Sequence, residues 1–270
     1  MFTLLHTNDF HNKLSPEKAV RLKAMREEIG DQGVLLDAGD ASGSGNITFK
    51  LAGESILAAM TDIGYDAMTV GNRDFHVSQL GFRSKLFRAG FPILCANVRN
   101  SHTAKIQNYE ALNSEVSIDF SNDDKKPLKK TLIHRFLYLR SNPEWKMLVV
   151  GLTIPMVTEK MWERKLSAYI FDDPFKSAVS LIPSLKQHLK PDLTVALTHI
   201  GIANDRKLAE SDLGIDLIVG GHTHEVLQEG ERIGDCLVVQ AGSHGRYYGR
   251  VEVNKNTEGK PLLTARVFEL

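Results

Sequence analysis

The chain has 270 residues, 42% of them hydrophobic, which is enough to bury the core of one large α/β domain. Acidic and basic residues balance at 33 each, which argues against an electrostatic partner such as duplex DNA or an anionic membrane. No stretch is long and apolar enough to cross a bilayer, and residues 1–7 lack a signal-peptide layout, so a cytoplasmic protein is expected.

In chain order, FTLLH (2–6) reads as a strand. A helix is predicted over 17–29, with Ser15 as N-cap, Pro16 at its first position and Gly30 beyond its end. VLLDA (34–38) reads as a second strand, and ESILAAMTDIG (54–64) as a helix closed by its glycine. AMTV (67–70), FPILCA (91–96), MLVVGLT (147–153), LTVALT (193–198), IDLIVG (215–220) and CLVVQA (236–241) read as further buried strands. Helical patterns lie near 77–89 and 174–190, the latter bent or broken at Pro183. The tail from Arg246 reads as a hairpin of two alternating strands. The polar stretch 100–130 reads as an inserted loop or ragged hairpin, and its KKPLKK run as solvated. Cys95 and Cys236 fall in apolar runs with no CxxC pair, and are expected as buried reduced thiols.

Strands alternating with helices predict parallel pairing, and such folds gather ligands beyond the carboxyl ends of their strands. Those ends carry an unusual set. Asn8-Asp9-Phe10-His11 follows the first strand, Gly39-Asp40 the second and Gly71-Asn72 the third, while His199 and Gly221-His222-Thr223-His224 follow later ones. In D-x-H and H-x-H on an extended segment, both side chains point the same way and can grip one site. Oxygen and imidazole donors without thiolate suit Mn, Fe, Co, Ni or Zn rather than calcium. Seven donors exceed one tetrahedral ion and suit two ions about 3.5–4 Å apart, with Asp40 as the bridge. A Gly-rich phosphate loop at ASGSGN (41–46) is a poorer reading, because it lacks the Lys-Ser/Thr that should follow; a loop over the metal cleft that touches substrate fits better. Tyr247, Tyr248, Trp145 and Trp162 are expected to fill the core or its margin.

TNDFHN, AGD, GN, LTH and GGHTH, in that order, resemble the blocks of the calcineurin-like metallophosphoesterases, and more narrowly their 5′-nucleotidase and 2′,3′-cyclic phosphodiesterase branch. The resemblance runs over nearly the whole chain and implies a single catalytic domain, 1–270, built as a four-layer α/β/β/α sandwich with two central mixed sheets. It implies that Asp9, His11 and His224 hold one divalent ion, Asn72, His199 and His222 a second, and that Asp40 bridges them. It implies hydrolysis of phosphate mono- or diesters of nucleotide-like small molecules by in-line attack of a metal-bridging hydroxide.

The third block departs from the family. Gly71-Asn72-Arg73-Asp74 stands where the family has histidine at the third place, and His76 stands where the nucleotidase branch has the aspartate that orients it. Arginine stays protonated near neutral pH and cannot donate a proton, though it neutralises phosphate charge bidentately. Arg73 and His76 are therefore expected to act at the site of a slowed enzyme. The alternative is a catalytically weak or inactive binding module on the same fold. Asn97, within FPILCANV, and His244 of GSHG are expected as substrate contacts.

Overall fold

The computed structural model describes residues 2–101, 116–119, 133–141 and 145–270. β1 (Phe2–Thr7) runs into α1 (Pro16–Ile29), which starts where the Ser15 hydroxyl accepts the Lys18 N–H at 3.4 Å and ends at Gly30, whose φ is 48°. β2 (Gly33–Asp37) returns parallel to β1. α2 (Ser55–Ile63) stops at left-handed Gly64 (φ 92°), and β3 (Ala67–Thr69) follows. α3 (Gln79–Leu86), capped by the Ser78 hydroxyl, leads to β4 (Ile93–Leu94) and then β5 (Val98–Asn100).

The second half holds β6 (Val116–Asp119), β7 (Phe136–Ser141), β8 (Trp145–Thr153), β9 (Tyr169–Phe171), α4 (Pro174–Leu189), β10 (Leu193–His199), α5 (Ile202–Ala209), β11 (Leu217–Val219), β12 (Glu231–Ile233) and β13 (Cys236–Val239). β14 (Tyr247–Lys255) and β15 (Pro261–Glu269) form the predicted tail hairpin. One sheet has the order β15-β14-β1-β2-β3-β4 and the other β12-β13-β11-β10-β8-β7-β6, both mixing parallel and antiparallel pairs.

Side chains alternate across each strand, so each sheet buries two faces. Leu4, Leu36, Val195 and Val219 meet in the space between the sheets. Leu5, Leu35 and Met68 face the other way, onto Leu22 of α1, Leu57 of α2 and Phe82 of α3. Val150, Ala196 and Ile218 of the second sheet likewise pack on Ile182 of α4 and Leu208 of α5. The result is the four-layer α/β/β/α sandwich.

Three details differ from the sequence expectation. The FPILCA run pairs as a strand only at Ile93–Leu94, because the Cys95 and Ala96 N–H groups turn to His134 O and Gly151 O, each at 2.7 Å. A Cβ on Gly151 would lie 2.5 Å from Leu94 Cβ, so this crossing between sheets needs glycine there. α4 continues unbroken through Pro183. Proline removes the hydrogen bond to the residue four back, but that residue, Val179, is exposed, and water can take its carbonyl. Residues 116–119 of the 100–130 stretch form β6, while KKPLKK lies outside the described residues. Cys95 and Cys236 are buried and unpaired, and burial raises both thiols to about 12.

Candidate metal centre

β1, β2, β3, β10 and β11 end at the same edge of the sandwich, and the chain beyond them folds tightly. Asp9, His11, Asp40, His222 and His224 all have positive φ, between 49° and 79°. The sequence expectation of extended D-x-H and H-x-H segments is therefore wrong in its backbone. Left-handed geometry costs a non-glycine residue roughly 1–2 kcal/mol, and a web of hydrogen bonds imposes it here. Asp9 N–H donates to Gly39 O at 2.9 Å and His11 N–H to Asp40 O at 3.0 Å. Asn8 ties the turn to the far end of the chain, donating from Nδ2 to Gly242 O at 2.5 Å and accepting the Ala241 N–H at 2.9 Å. Strain of this kind is typical of functional sites, where the surroundings over-determine the conformation.

These turns bring all seven sequence-chosen side chains together. His11 Nε2 lies 3.1 Å from His224 Nε2. Asp9 Oδ1 is 3.6 Å from the first of these nitrogens and 3.3 Å from the second. On the other side, Asn72 Oδ1 is 3.0 Å from His222 Nδ1 and 3.3 Å from His199 Nε2. Asp40 stands between the two groups, with Oδ2 3.9 Å from His11 Nδ1 and Oδ1 3.5 Å from His199 Nε2. His199 Nδ1 donates to Ala38 O at 2.7 Å, which fixes the ring with Nε2 facing the cluster.

A divalent cation fits this donor set. Asp9 Oδ1 is buried without a hydrogen-bond donor, a costly state for a carboxylate oxygen unless a cation satisfies it. The Nε2 atoms of His11 and His224 converge beside it. Among the described residues, Asp9 with His11 and His224, and Asp9 with Asp40 and His199, each group ligand atoms closely enough for one ion.

Asp74 is the clasp that sequence reasoning missed. Its carboxylate is buried and accepts three backbone N–H groups, from Asp40 at 2.8 Å and from Ser42 and Gly71 at 2.9 Å. It thereby locks the turn carrying Asp40 to the turn carrying Asn72. A Cβ on Gly71 would sit 2.1 Å from Asp40 N, so the two turns meet only through glycine. Gln240 braces the opposite wall, accepting the Glu225 N–H at 2.5 Å and donating to Gly221 O at 3.1 Å. A polar residue opposite two glycine turns was the available signal for Asp74; nothing local marked Gln240.

Comparison with known proteins places this geometry. The family model for calcineurin-like phosphoesterases matches residues 2–226. The chain belongs to that family. It is 32% identical over 278 residues to the trifunctional nucleotide phosphoesterase protein YfkN of Bacillus subtilis, covering 95% of this chain and 18% of the relative. It is 29% identical over 295 residues to a 5′-nucleotidase of Vibrio vulnificus, covering 93% of this chain and 48% of that protein. The crystal structure of a 5′-nucleotidase precursor from Thermus thermophilus superposes with a TM-score of 0.74 at 23% identity, over 100% of this chain and 54% of the other. The chain thus spans half or less of the curated relatives named here. Its fold is that of a metal-dependent phosphohydrolase.

The four remaining residues singled out from the sequence fall in different places. Arg73 is exposed; its N–H donates to Asp40 Oδ1 at 2.6 Å, and among the described residues no ion pair holds its guanidinium. His244, left-handed at φ 60°, sets its ring 5.2 Å from that of His11 and 5.5 Å from that of His224, at the mouth of the cluster. His76 is buried with its ring 4.5 Å from that of Phe49, and Nδ1 accepts the Ser78 N–H at 3.0 Å. Among the described residues, no hydrogen bond or ion pair joins His76 to Arg73 or to the cluster. Asn97 corrects an expectation. It is buried, donates to Thr153 O and Asp172 O, and accepts the Thr153 N–H, so its amide is consumed in pinning β5 and β9 to β8 rather than left for a substrate.

The cluster's electrostatics also ask for a cation. Burial lowers the proton affinity of His199, but the hydrogen bond and charge of Asp40 overcome it and raise the pKa to about 9. Burial pushes Asp40 up, yet the His199 hydrogen bond and charge leave it below the ordinary range. Burial raises Asp74 to about 6 and Asp205, which accepts the Thr198 hydroxyl, to about 7. A consequence follows for the metal-free protein. His199 is raised above its unfolded value, so its stabilisation is complete below pH 6.5 and is lost as pH rises through about 9. Asp74, Asp205 (still half protonated at pH 7) and Asp37, all raised by burial, lose stability in the same direction as they ionise, so His199's share of the slope between pH 7 and 9 is the part that the Asp40→Asn change removes. Chelator-stripped protein is expected to lose up to about 3 kcal/mol across His199's range, read from urea midpoints. A flat profile would show that His199 carries no proton in the native cluster.

Proposed function

We propose that this chain hydrolyses phosphate mono- or diesters of nucleotide-like small molecules with two divalent ions. Asp9, His11 and His224 would hold one ion, Asn72, His199 and His222 the other, and Asp40 would bridge them. The observation that carries the reading is the convergence of all seven side chains on one edge, with Asp9 Oδ1 left for a cation. Bound ions would supply Lewis-acid charge and lower the pKa of water. The chain's own part is positional and electrostatic. The Asp74 clasp and the Asn8 tie hold the donors in place. Arg73, its side chain exposed beside the cluster, neutralises phosphate oxygens. His244 lines the mouth, where the ester enters.

Hydrolysis of mono- and bis-p-nitrophenyl phosphate, 5′-AMP and 2′,3′-cyclic AMP across several divalent metals tests the reading. Turnover of at least one ester class is expected. Arg73→Ala should lose roughly ten- to a hundredfold in kcat/KM, the worth of one hydrogen bond to a charged group. Arg73→His restores a proton donor, so it should gain most on esters with poor leaving groups and least on p-nitrophenyl esters. The exposed Arg73 is also what favours the second reading, a binding module. A protein that takes up metal yet turns over no ester on the panel would establish that reading instead.

A further inference from the structure

The balanced total charge hides a segregated face. From 41 to 53 and again from 75 to 100 the chain has no Asp or Glu. These two segments lie side by side: Val77 N–H donates to Asn46 O at 3.1 Å, Lys50 N–H to the Ser84 hydroxyl at 3.3 Å, and the Phe49 ring packs on His76.

Large apolar side chains protrude from both. Leu51 is 94% exposed, Ile47 78%, Phe87 75% and Leu80 72%, with Phe49 partly exposed beside them. Leu80, Ser84 and Phe87 follow helical spacing of four and three along α3, so the loop's contact at Ser84 falls in the middle of that stripe. Lys50, Arg83 and Arg88 flank it, and among the described residues none of the three is in an ion pair. The turn carrying exposed Trp162 and Leu166 is tied to the same segment, through the Ala168 N–H to Val77 O at 2.8 Å. Large exposed apolar side chains gathered on two hydrogen-bonded neighbouring segments mark a binding face.

The choice of occupant follows from shape and charge. A side chain that is 94% exposed stands proud of its neighbours, so the face is a set of anchors rather than a groove for a peptide or helix. Apolar anchors interleaved with the cations of Lys50, Arg83 and Arg88, on two segments without acidic residues, have the chemistry of an interfacial membrane contact. Among the described residues no helix is long and apolar enough to cross a membrane, so the contact is peripheral. We propose that this face seats the protein on an anionic lipid surface. Leu51, Ile47 and Phe87 enter the interface, and Lys50, Arg83 and Arg88 reach the headgroups. The start of the loop is tied to the catalytic edge by the Ser42 hydroxyl donating to Arg73 O at 2.8 Å, which holds the cluster close to that surface.

Vesicle co-sedimentation of the metal-loaded protein tests this without reference to its activity. The comparison is phosphatidylcholine vesicles against vesicles of phosphatidylcholine with phosphatidylglycerol. Wild type should partition at least about tenfold more strongly to the anionic vesicles, and less so as salt rises. L51E/F87E and K50E/R83E should each lose about tenfold or more of that binding, with thermal midpoints unchanged because among the described residues these four side chains hold no hydrogen bond or ion pair. Equal partition to both vesicle types, no binding at all, or undiminished binding by both variants overturns the proposal. So does a wild-type dimer that L51E/F87E makes monomeric while vesicles are ignored, since the face would then be an interface between copies of this chain.

Discussion

Asp40→Asn is expected to lower kcat/KM for phosphoester hydrolysis by about a thousandfold and to release at least one of the two proposed ions. Asp40 turns its two oxygens toward imidazoles of the two halves of the cluster, Oδ1 toward His199 and Oδ2 toward His11. An amide keeps the shape and can still accept the Arg73 N–H, but it presents a neutral oxygen on one side and an N–H₂ on the other. Lewis-acid stabilisation of a phosphoryl group is worth several kcal/mol, and each 1.4 kcal/mol is about tenfold in rate. Metal content of the purified variant checks the cause, and steady-state kinetics the size. The same substitution carries a second signature. The Asp40 hydrogen bond and charge are the main influences that raise His199, so the metal-free variant should lose His199's share of the stability slope between pH 7 and 9 and keep only that of Asp205 and Asp37. Wild-type activity in a variant that retains both ions would remove Asp40 from the mechanism. A slope undiminished by the change would remove only the electrostatic account of His199.

The strand ends were legible because buried parallel strands read as unbroken apolar runs, against which a polar terminus stands out. Asp9, Asp40, Asn72, His199 and the His222–His224 pair were found that way. Asn97 shows the limit of that signal. It too closes an apolar run, but its chain is leaving the first sheet for the separate β5–β9 pair there, and pinning that pair to β8 consumes the amide. Asn72 closes a strand that ends at the open edge, where its oxygen meets two imidazoles. No pattern of period 2 or 3.6 distinguishes the two cases. The left-handed turns at Asp9, His11 and Asp40 were equally hidden, because they are imposed by hydrogen bonds from residues far along the chain rather than by local propensity. The resemblance to the nucleotidase branch pairs His76 with Arg73, but its ring packs on Phe49 instead, in a loop 27 residues earlier whose neighbourhood only tertiary structure reveals.

Replacing Lys85 with methionine should cost about 3–5 kcal/mol of stability while leaving metal content intact. Lys85 is fully buried on α3, a position lysine rarely takes without partners. Its ammonium donates to Arg73 O at 2.6 Å, Phe75 O at 3.0 Å and Ser44 O at 3.4 Å. It therefore clamps the turn that carries Arg73 to the loop over the cluster, beside the buried carboxylates of Asp74 and Glu54. Burial lowers the Lys85 pKa, while those carboxylates and Asp40 raise it and so favour the charged form. Methionine fills much the same volume but leaves three carbonyls without a donor and two carboxylates without a counter-charge, and breaking a buried arrangement of this kind from one side costs about 3–5 kcal/mol. For a chain of this size that is on the order of a 10 °C fall in Tm. Because Arg73 is placed through its own carbonyl, the loss should also appear in catalysis as a change that Arg73→Ala already contains. The double variant Lys85→Met/Arg73→Ala should be no slower than Arg73→Ala alone, whereas additive losses would mean that Lys85 acts on the reaction by some route other than Arg73.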